Sequence, residues 1–489
     1  MASVNGTSLR EEFDAARARI AALRKAGRIS DDVDAVIGVL CSLLGILIAI
    51  FLEKTTRKTG KNSSIAPSQT DKDNTGKRSK KASGKGVAPN WMTGENLRKV
   101  TVGETSTVQV CDSCGADLSD VEPSAREERI HLDIMFEVVE KKVVAETRDC
   151  PKCRTRTKGR FPENMPGPLQ YGVGFQAFVI NLLIAQMLSL RRAVELVRAI
   201  SGVRMSQATC LGYIQRLHEA LEPWETAAAA HLLTRPALHA DETGFRVDSK
   251  NQWLHVLTDD SLTLKFLHPR RGKEAIEAFG IIPVYTGVLI HDCWASYLAY
   301  SQCKHQLCGS HLLRELTFVV DSSNYRWARL MRKVLREVCH KVNKSETGVL
   351  SEAECRKIRK RYRTILTQGA GEMPDVPAKP EGKRGRVAKS DAHNLHERLL
   401  KHEDSVLRFM SEPDVSFTNN AGEQKIRMAK VKIKVSGCFR TDRYAHAWCR
   451  ISSYLSSMGA LGYNPLVAIQ IALAGNAANM VKSHYAQDA

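Results

Sequence analysis

Leu238-His239-Ala240-Asp241-Glu242-Thr243-Gly244-Phe245-Arg246-Val247 is the stretch that decides how the 489-residue chain reads. A short apolar lead delivers an aspartate into a strand-like run. The strand pattern resumes in Trp253-Leu254-His255-Val256-Leu257 and again over residues 263–267. A carboxylate in such a place is costly unless it is paired or binds a cation, which makes Asp241 a candidate site. Taken alone, Asp-x-Thr-Gly also reads as a turn.

Two later stretches bear on the choice. Gly287-Val288-Leu289-Ile290-His291-Asp292-Cys293-Trp294 is a second apolar strand ending on an aspartate, Asp292. Asn419-Asn420-Ala421-Gly422-Glu423 reads as a helix start, with Asn419 or Asn420 as the cap and Glu423 in the first turn. Glu423 has two readings, a first-turn acid favoured by the helix dipole or a third carboxylate beside the other two. Hard oxygen ligands of this kind suit Mg²⁺ or Mn²⁺. Two such ions about 4 Å apart serve phosphodiester cleavage. Short strands among helical stretches make the fold class multidomain α/β.

The charge balance points to a polyanion. Lys and Arg number 72 against 53 Asp and Glu, a net charge of +19, and the excess is clustered, so nucleic acid is the simplest partner. Residues 54–100 carry much of it, with Ser, Thr, Gly and Pro throughout, and read as a flexible basic linker. Lys430, Lys432, Lys434 and Arg440 form a second basic strip just past Glu423. In the loop near residues 377–390, Lys383, Arg384 and Arg386 are either phosphate contacts or solvated charges.

Thirteen cysteines, two Cys-x-x-Cys pairs and no leading secretory signal read as a reducing compartment with a metal site. Cys111, Cys114, Cys150 and Cys153 have the ligand types for one tetrahedral, structural Zn²⁺. The 36 positions from Cys114 to Cys150 leave room for strands over residues 129–134 and 136–139. Cys303, His305, Cys308 and His311 offer ligand types for a second zinc, but the spacing is not a regular one and packing with polar contacts is the favoured reading. Between helices near residues 176–186, 190–200 and 207–217, Gly202-Val203-Arg204-Met205-Ser206-Gln207-Ala208-Thr209 has the order of a helix-turn-helix. That places Arg204, Ser206, Gln207 and Thr209 as DNA contacts, or as plain packing.

Residues 35–52 are eighteen positions without a charge, the lower limit for a membrane span. Val33, Val36, Leu40, Leu43, Leu47 and Ile50 nevertheless repeat three and four apart, the spacing of an oligomerising coiled coil. The soluble character of the sequence downstream favours the coil, and with it a homo-oligomer.

At the acids the sequence resembles the insertion-sequence sixty-six family of DDE transposases. The resemblance rests on His239-Ala240-Asp241-Glu242-Thr243, on His291-Asp292-x-Trp294-Ala295-Ser296-Tyr297 and on Cys308-x-x-His311-Leu312-Leu313-Arg314-Glu315-Leu316. It rests also on Asn419-Asn420-x-x-Glu423 and on Lys434-Val435-Ser436-Gly437-Cys438-Phe439-Arg440-Thr441. Lys61-Asn62-Ser63-Ser64, the cysteine pairs and Leu461-Gly462-Tyr463-Asn464-Pro465 extend it to roughly residues 60–475. Gly422 departs from the alanine more usual there, and residues 35–52 are more uniformly apolar than the family's coil.

The resemblance implies an RNase H-like core, a mixed sheet flanked by helices, with a helical insertion between the second and third acids. The spacings are 51 residues from Asp241 to Asp292 and 131 from Asp292 to Glu423. It implies that the three acids bind the catalytic ions, that water and then a freed 3′-hydroxyl attack, and that small accessory proteins from the same element are partners. The expected layout is an N-terminal helical segment (1–53), the linker (54–100), a zinc ribbon (101–160) and a helical DNA-binding region (161–232). A catalytic core (233–440, insertion about 313–410) and a C-terminal helical domain (441–489) complete it. The expected activity is metal-dependent cleavage and strand transfer at the ends of an insertion sequence, in a bacterial, nucleoid-associated setting. The rival reading is an inactive, DNA-binding regulator derived from such an enzyme; a membrane-anchored protein is a third.

Overall fold

A computed structural model describes residues 6–63, 106–126, 137–377 and 387–485. The chain divides into two units, Met1–Thr70 with Lys141–Ala489, and Asp71–Glu140. The larger is a mixed α/β unit. It opens with helices α1 (Gly6–Lys25) and α2 (Asp31–Thr55) and a small antiparallel hairpin, β1 (Thr147–Asp149) and β2 (Arg156–Lys158). Helices α3 (Val173–Ile184), α4 (Leu190–Ser201), α5 (Gln207–Ala220) and α6 (Glu222–Thr234) follow. Then come β3 (Ala237–Val247), β4 (Lys250–Thr258), β5 (Thr263–His268), α7 (Lys273–Phe279), β6 (Val288–His291) and β7 (Lys304–Leu307). The chain turns helical through α8 (Gly309–Ser323), α9 (Arg326–Lys344), α10 (Glu352–Glu372), α11 (Asp391–Lys401) and α12 (Glu403–Leu407). It finishes with α13 (Asn420–Ser436), α14 (Asp442–Ala460), α15 (Pro465–Leu473) and α16 (Ala477–Tyr485).

The five-stranded sheet has the order β5-β4-β3-β6-β7. β3, β4 and β5 are an antiparallel meander, and β6 and β7 join it parallel to β3. Asp248 and Ser249 make the β3–β4 turn with φ of +46° and +60°, the left-handed pair that a two-residue hairpin of matching twist requires. All four residues of β6 are buried, as an apolar parallel strand covered on both faces should be. β5 is an edge strand, and α14 lies along it. The Thr263 and Lys265 backbone N–H groups donate to the hydroxyls of Ser457 (3.0 Å) and Ser453 (2.8 Å) on α14. Side chains on a helix thus occupy hydrogen-bonding positions that a bare edge would leave open.

Two hydrophobic cores form. One runs from Ala177 to Val481 and includes residues of α3–α6, the sheet, α13 and α14–α16, so it crosses positions 232 and 440 without a break. The other is built from α8–α12 around Trp327, Leu335, Tyr362 and Phe409, and it reaches Val288, Ile290 and Leu307 of the sheet. The chain between β7 and α13 therefore has its own helical core.

α2 docks by one face only. Ile46, Ile48, Ala49, Leu52 and Glu53 are buried, whereas Val33, Val36, Leu40, Leu43 and Leu47 are exposed. The Glu53 carboxylate accepts the N–H groups of Asp391 (2.7 Å) and Ala392 (3.0 Å) at the start of α11. Beyond α2, Asn62 donates to Asp321 of α8 (3.0 Å) and is itself buried. By length and composition α2 could cross a membrane. Most of the expected linker and of the two strands expected at 129–139 lies outside the described residues, as do Lys383, Arg384 and Arg386. Residues 137–139 are irregular.

Candidate functional site

β3 pairs with β6 in parallel register, Ala237 opposite Val288, Leu238 opposite Leu289 and His239 opposite Ile290. Each pair joins positions 51 apart, the same interval that separates Asp241 from Asp292. Asp241 thus follows the last paired residue of β3 by two positions, and Asp292 follows that of β6 by two, with the chain already leaving the strand at Asp292. Asp292 is the first residue past β6. Its Oδ1 accepts the Trp294 N–H (3.3 Å), and Cys293 between them has φ of +70°. His291 Nδ1 accepts the Cys293 N–H (3.1 Å). That leaves the His291 proton on Nε2, where it meets His305 Nδ1 (3.1 Å), and His305 Nε2 in turn donates to the Tyr300 carbonyl (3.0 Å). Burial pushes the His291 pKa down to about 3, so the chain of imidazoles is neutral and fixes the turn that presents Asp292. Cys303 and His305 are accounted for by this packing.

The third acid arrives on α13. Asn419 sits at its N-cap position, but its side chain does not cap the helix. It is fully buried, and its Nδ2 donates to the Ala240 carbonyl (2.8 Å) while its Oδ1 meets His239 Nδ1 (3.0 Å). The cap expected from sequence is thus turned inward, because the residue has stronger uses on β3. Its backbone N–H donates to Cys308 Sγ (3.1 Å), so Asn419 ties β3 to both the start of α13 and the start of α8. The start of α8 is close-packed as well. A Cβ on Gly309 would come within 2.1 Å of the Phe417 ring. Gly422 lies against β3 in the same way: a Cβ there would be 3.0 Å from Asn419 Oδ1 and 3.3 Å from Asp241 Cβ. Glu423, the next residue, faces α8, with Oε1 at 3.6 Å from His311 Nδ1 and 3.9 Å from Arg314 Nη2.

Burial, then the negative charges of Glu242, Asp292 and Glu423, push the Asp241 carboxyl up to about 8. Asp292 and Glu423 thus each act on the charge of Asp241, but among the described residues the ligand atoms of the three acids do not gather within 4.8 Å of one another. Among the described residues, neither Asp241 nor Asp292 has a lysine or arginine at ion-pair distance. Crowded carboxylates without a protein counter-cation fit a divalent ion.

Glu242, left without a role by sequence, is engaged on the other side. Arg271 contacts it at 2.6 Å and the Tyr297 hydroxyl donates to it at 2.7 Å. The Arg271 guanidinium lies over the rings of Trp253 (4.8 Å) and Trp294 (4.5 Å). Sequence reasoning quoted Asn419, Tyr297, His311 and Arg314 within the motifs of the resemblance but gave them no role at the site, and it did not single out Arg271. A further cue was that His311 and Arg314, three residues apart, share a face of one helix.

The remaining candidates are described by their own surroundings. Each cysteine pair forms the same turn. In one, the Cys111 N–H donates to the Ala116 carbonyl and the Gly115 N–H to the Cys111 carbonyl; in the other, the Cys150 N–H donates to Thr155 and the Arg154 N–H to Cys150. Gly115 and Arg154 hold corresponding left-handed positions, φ +74° and +59°. Hydrogen bonds from neighbouring groups lower the pKa of Cys111, and those from Thr155 and Cys150 lower Cys153 to about 7. Cys111 and Cys114 belong to the smaller unit, Cys150 and Cys153 to the larger.

In the α4–α5 turn, Gly202 ends α4 in a left-handed conformation, and Ser206 caps α5 by accepting the Thr209 N–H (3.0 Å). Arg204, Ser206 and Gln207 are exposed and Thr209 is half-buried. Of the basic strip past Glu423, Lys430, Lys432 and Lys434 lie on helix α13, where alternate residues do not share a face, and Arg440 lies beyond its end. Lys430 and Lys434, one turn apart, are exposed, as is Arg440; Lys432 is buried, with its ammonium 5.8 Å from the Phe439 ring centroid.

A search of the curated proteins finds no match to this chain. The sequence model of the transposase IS66 family matches residues 168–447, a span that holds all three acids and the elements that present them. Since that span is more than half of the sequence, the chain belongs to the transposase IS66 family.

Proposed function

We propose that the chain is a DDE-type transposase that cleaves DNA and transfers strands at the ends of an insertion sequence. Asp241, Asp292 and Glu423 are its metal-binding residues and Mg²⁺ or Mn²⁺, as two ions, its catalytic cofactor. The observation that supports this reading is the shared interval of 51: the β3–β6 register joins positions 51 apart, the interval that also separates Asp241 from Asp292. The strand order, with its antiparallel meander and two parallel additions, supports an RNase H-like core. The helices of the second core stand for the insertion.

When bound, the ions activate the attacking oxygen and stabilise the leaving one. The chain's own residues do the rest. Water, then the freed 3′-hydroxyl, is the nucleophile. Asn419 holds the start of α13 on β3, so Glu423 is presented to the strands that carry the aspartates. The His291–His305 pair keeps the Asp292 turn in place. Arg271 and Tyr297 absorb the charge of Glu242, which otherwise competes beside Asp241.

Around this centre, exposed Lys430, Lys434 and Arg440 supply phosphate contacts, and Arg204, Ser206 and Gln207 supply contacts from the α4–α5 turn. Cys111, Cys114, Cys150 and Cys153 bind one structural Zn²⁺, supported by the two matching turns. The exposed apolar stripe of α2 supports a coiled-coil homo-oligomer, with the element's accessory proteins as further partners and the bacterial cytoplasm as the setting.

The test is Asp292→Asn in the full chain, with Mg²⁺ and DNA carrying the element's own ends. Cleavage should fall by at least about a thousandfold while binding of the same DNA stays within about twofold of the parent. Unchanged cleavage would sink the assignment.

A further inference from the structure

We propose that His311 and Arg314 form the pocket that grips a non-bridging oxygen of the DNA phosphate held at the acids, and that the Glu423 carboxylate stands in for that oxygen in the free protein. This deepens the function proposed above and rests on it.

His311 and Arg314 lie three residues apart on α8 and converge on one atom, Glu423 Oε1, at 3.6 and 3.9 Å. Both distances exceed a hydrogen bond. His311 Nδ1 and Arg314 Nε are also buried without any hydrogen-bond partner. A buried donor left unpaired is costly, more so on a charged group. His311 Nδ1 faces the carboxylate without reaching it, and Arg314 has an unpaired Nε beside the Nη2 that faces the same oxygen, which describes a site shaped for a different anion. A phosphodiester supplies one, with two non-bridging oxygens that match the guanidinium fork.

The opposite occupant is a cation. Cys308, His311 and Glu423 bring three ligand atoms within 4.8 Å of one another. Arg314 decides against it. A cation held between Cys308, His311 and Glu423 leaves the Arg314 Nε unpaired and adds a second positive charge beside the guanidinium, whereas an anion there pairs with both, with Glu423 left to turn to the ions at the acids. The pocket also adjoins the acids, since Glu423 is one of them and Cys308 receives the N–H of Asn419, whose side chain is bonded to β3 one residue before Asp241.

The test is the binding of two short end DNAs by the full chain, one with the normal phosphodiester at the cleavage position and one with a neutral methylphosphonate there. Fluorescence anisotropy with Ca²⁺ in place of Mg²⁺ reads binding without relying on cleavage. The parent should prefer the charged DNA. In Arg314→Ala that preference should shrink by about tenfold, and in Arg314→Lys by less, since a point charge replaces a fork. His311→Gln, which keeps a donor, should fall between. Arg314→Ala should melt within a few degrees of the parent, because it removes one long, partly exposed ion pair to Glu423 and a donor without a partner. An undiminished preference in Arg314→Ala overturns the pocket. If Asp292→Asn also cleaves normally, the proposed function falls with it; if Asp292→Asn is inactive, the pocket alone falls.

Discussion

Asp241 shows what the site costs the fold. Its carboxyl, ordinarily near 4, stands at about 8 because it is buried among other carboxylates. Between those values the folded protein keeps a proton that the unfolded chain releases. Stability contributed by this group therefore falls as pH rises from about 4 to about 8. Asp241→Asn removes the penalty without changing shape. In protein freed of divalent ions, this variant should melt a few degrees above the parent at pH 8, with the gap closing towards pH 5, while cleavage is lost. Equal melting at both pH values would show that the acids do not repel. The three acids were legible as residues, because an aspartate ending an apolar strand and a glutamate opening a helix stand out. Asn419 was not, because its value lies in bonds to His239 and Ala240, about 180 positions away. A sequence places it as a cap and has no means of turning it inward.

At the scale of elements, strand patterns were the most readable part. β3, β4, β5 and β6 lie where alternation and apolar runs put them. Register was not readable, yet it gives the 51-residue interval its meaning. The basic strip shows the converse failure. Lys430, Lys432 and Lys434 read as one basic strip, but α13 points Lys432 inward. Docking between elements was also hidden. Glu53 of α2 caps α11 by accepting two backbone N–H groups, and no local signal links positions so far apart. Glu53→Ala should cost about 1–2 kcal/mol and speed hydrogen exchange at the amides of Asp391 and Ala392 while leaving those of β6 protected. Unchanged exchange at those two amides would mean that α2 is held by its apolar contacts alone.

At the scale of the molecule, the question left by the sequence is what covers α2. Its exposed apolar residues include Val39, Leu44 and Phe51 as well as most of the heptad positions. Ile46, Ile48, Ala49 and Leu52 face the protein, while Leu40 and Leu47, at 59% and 60% exposed, belong to the stripe with heptad spacing. A docking face and a separate apolar stripe on one helix suit a helix shared between copies. A lipid span has to surround the helix with hydrocarbon on all sides, and here Glu53 is bonded to a helix of the same chain. The expectation is an oligomer in detergent-free solution, measured by sedimentation. The double variant Leu40→Glu with Leu47→Glu should bring the mass down to that of one chain, 54.3 kDa, because charges on the stripe break a coil and leave the docking residues untouched. Thermal melting should change little for the same reason. A parent that leaves the membrane fraction only with detergent gives the stripe to lipid instead, and a variant that keeps the parent's mass places the contact between copies elsewhere in the chain.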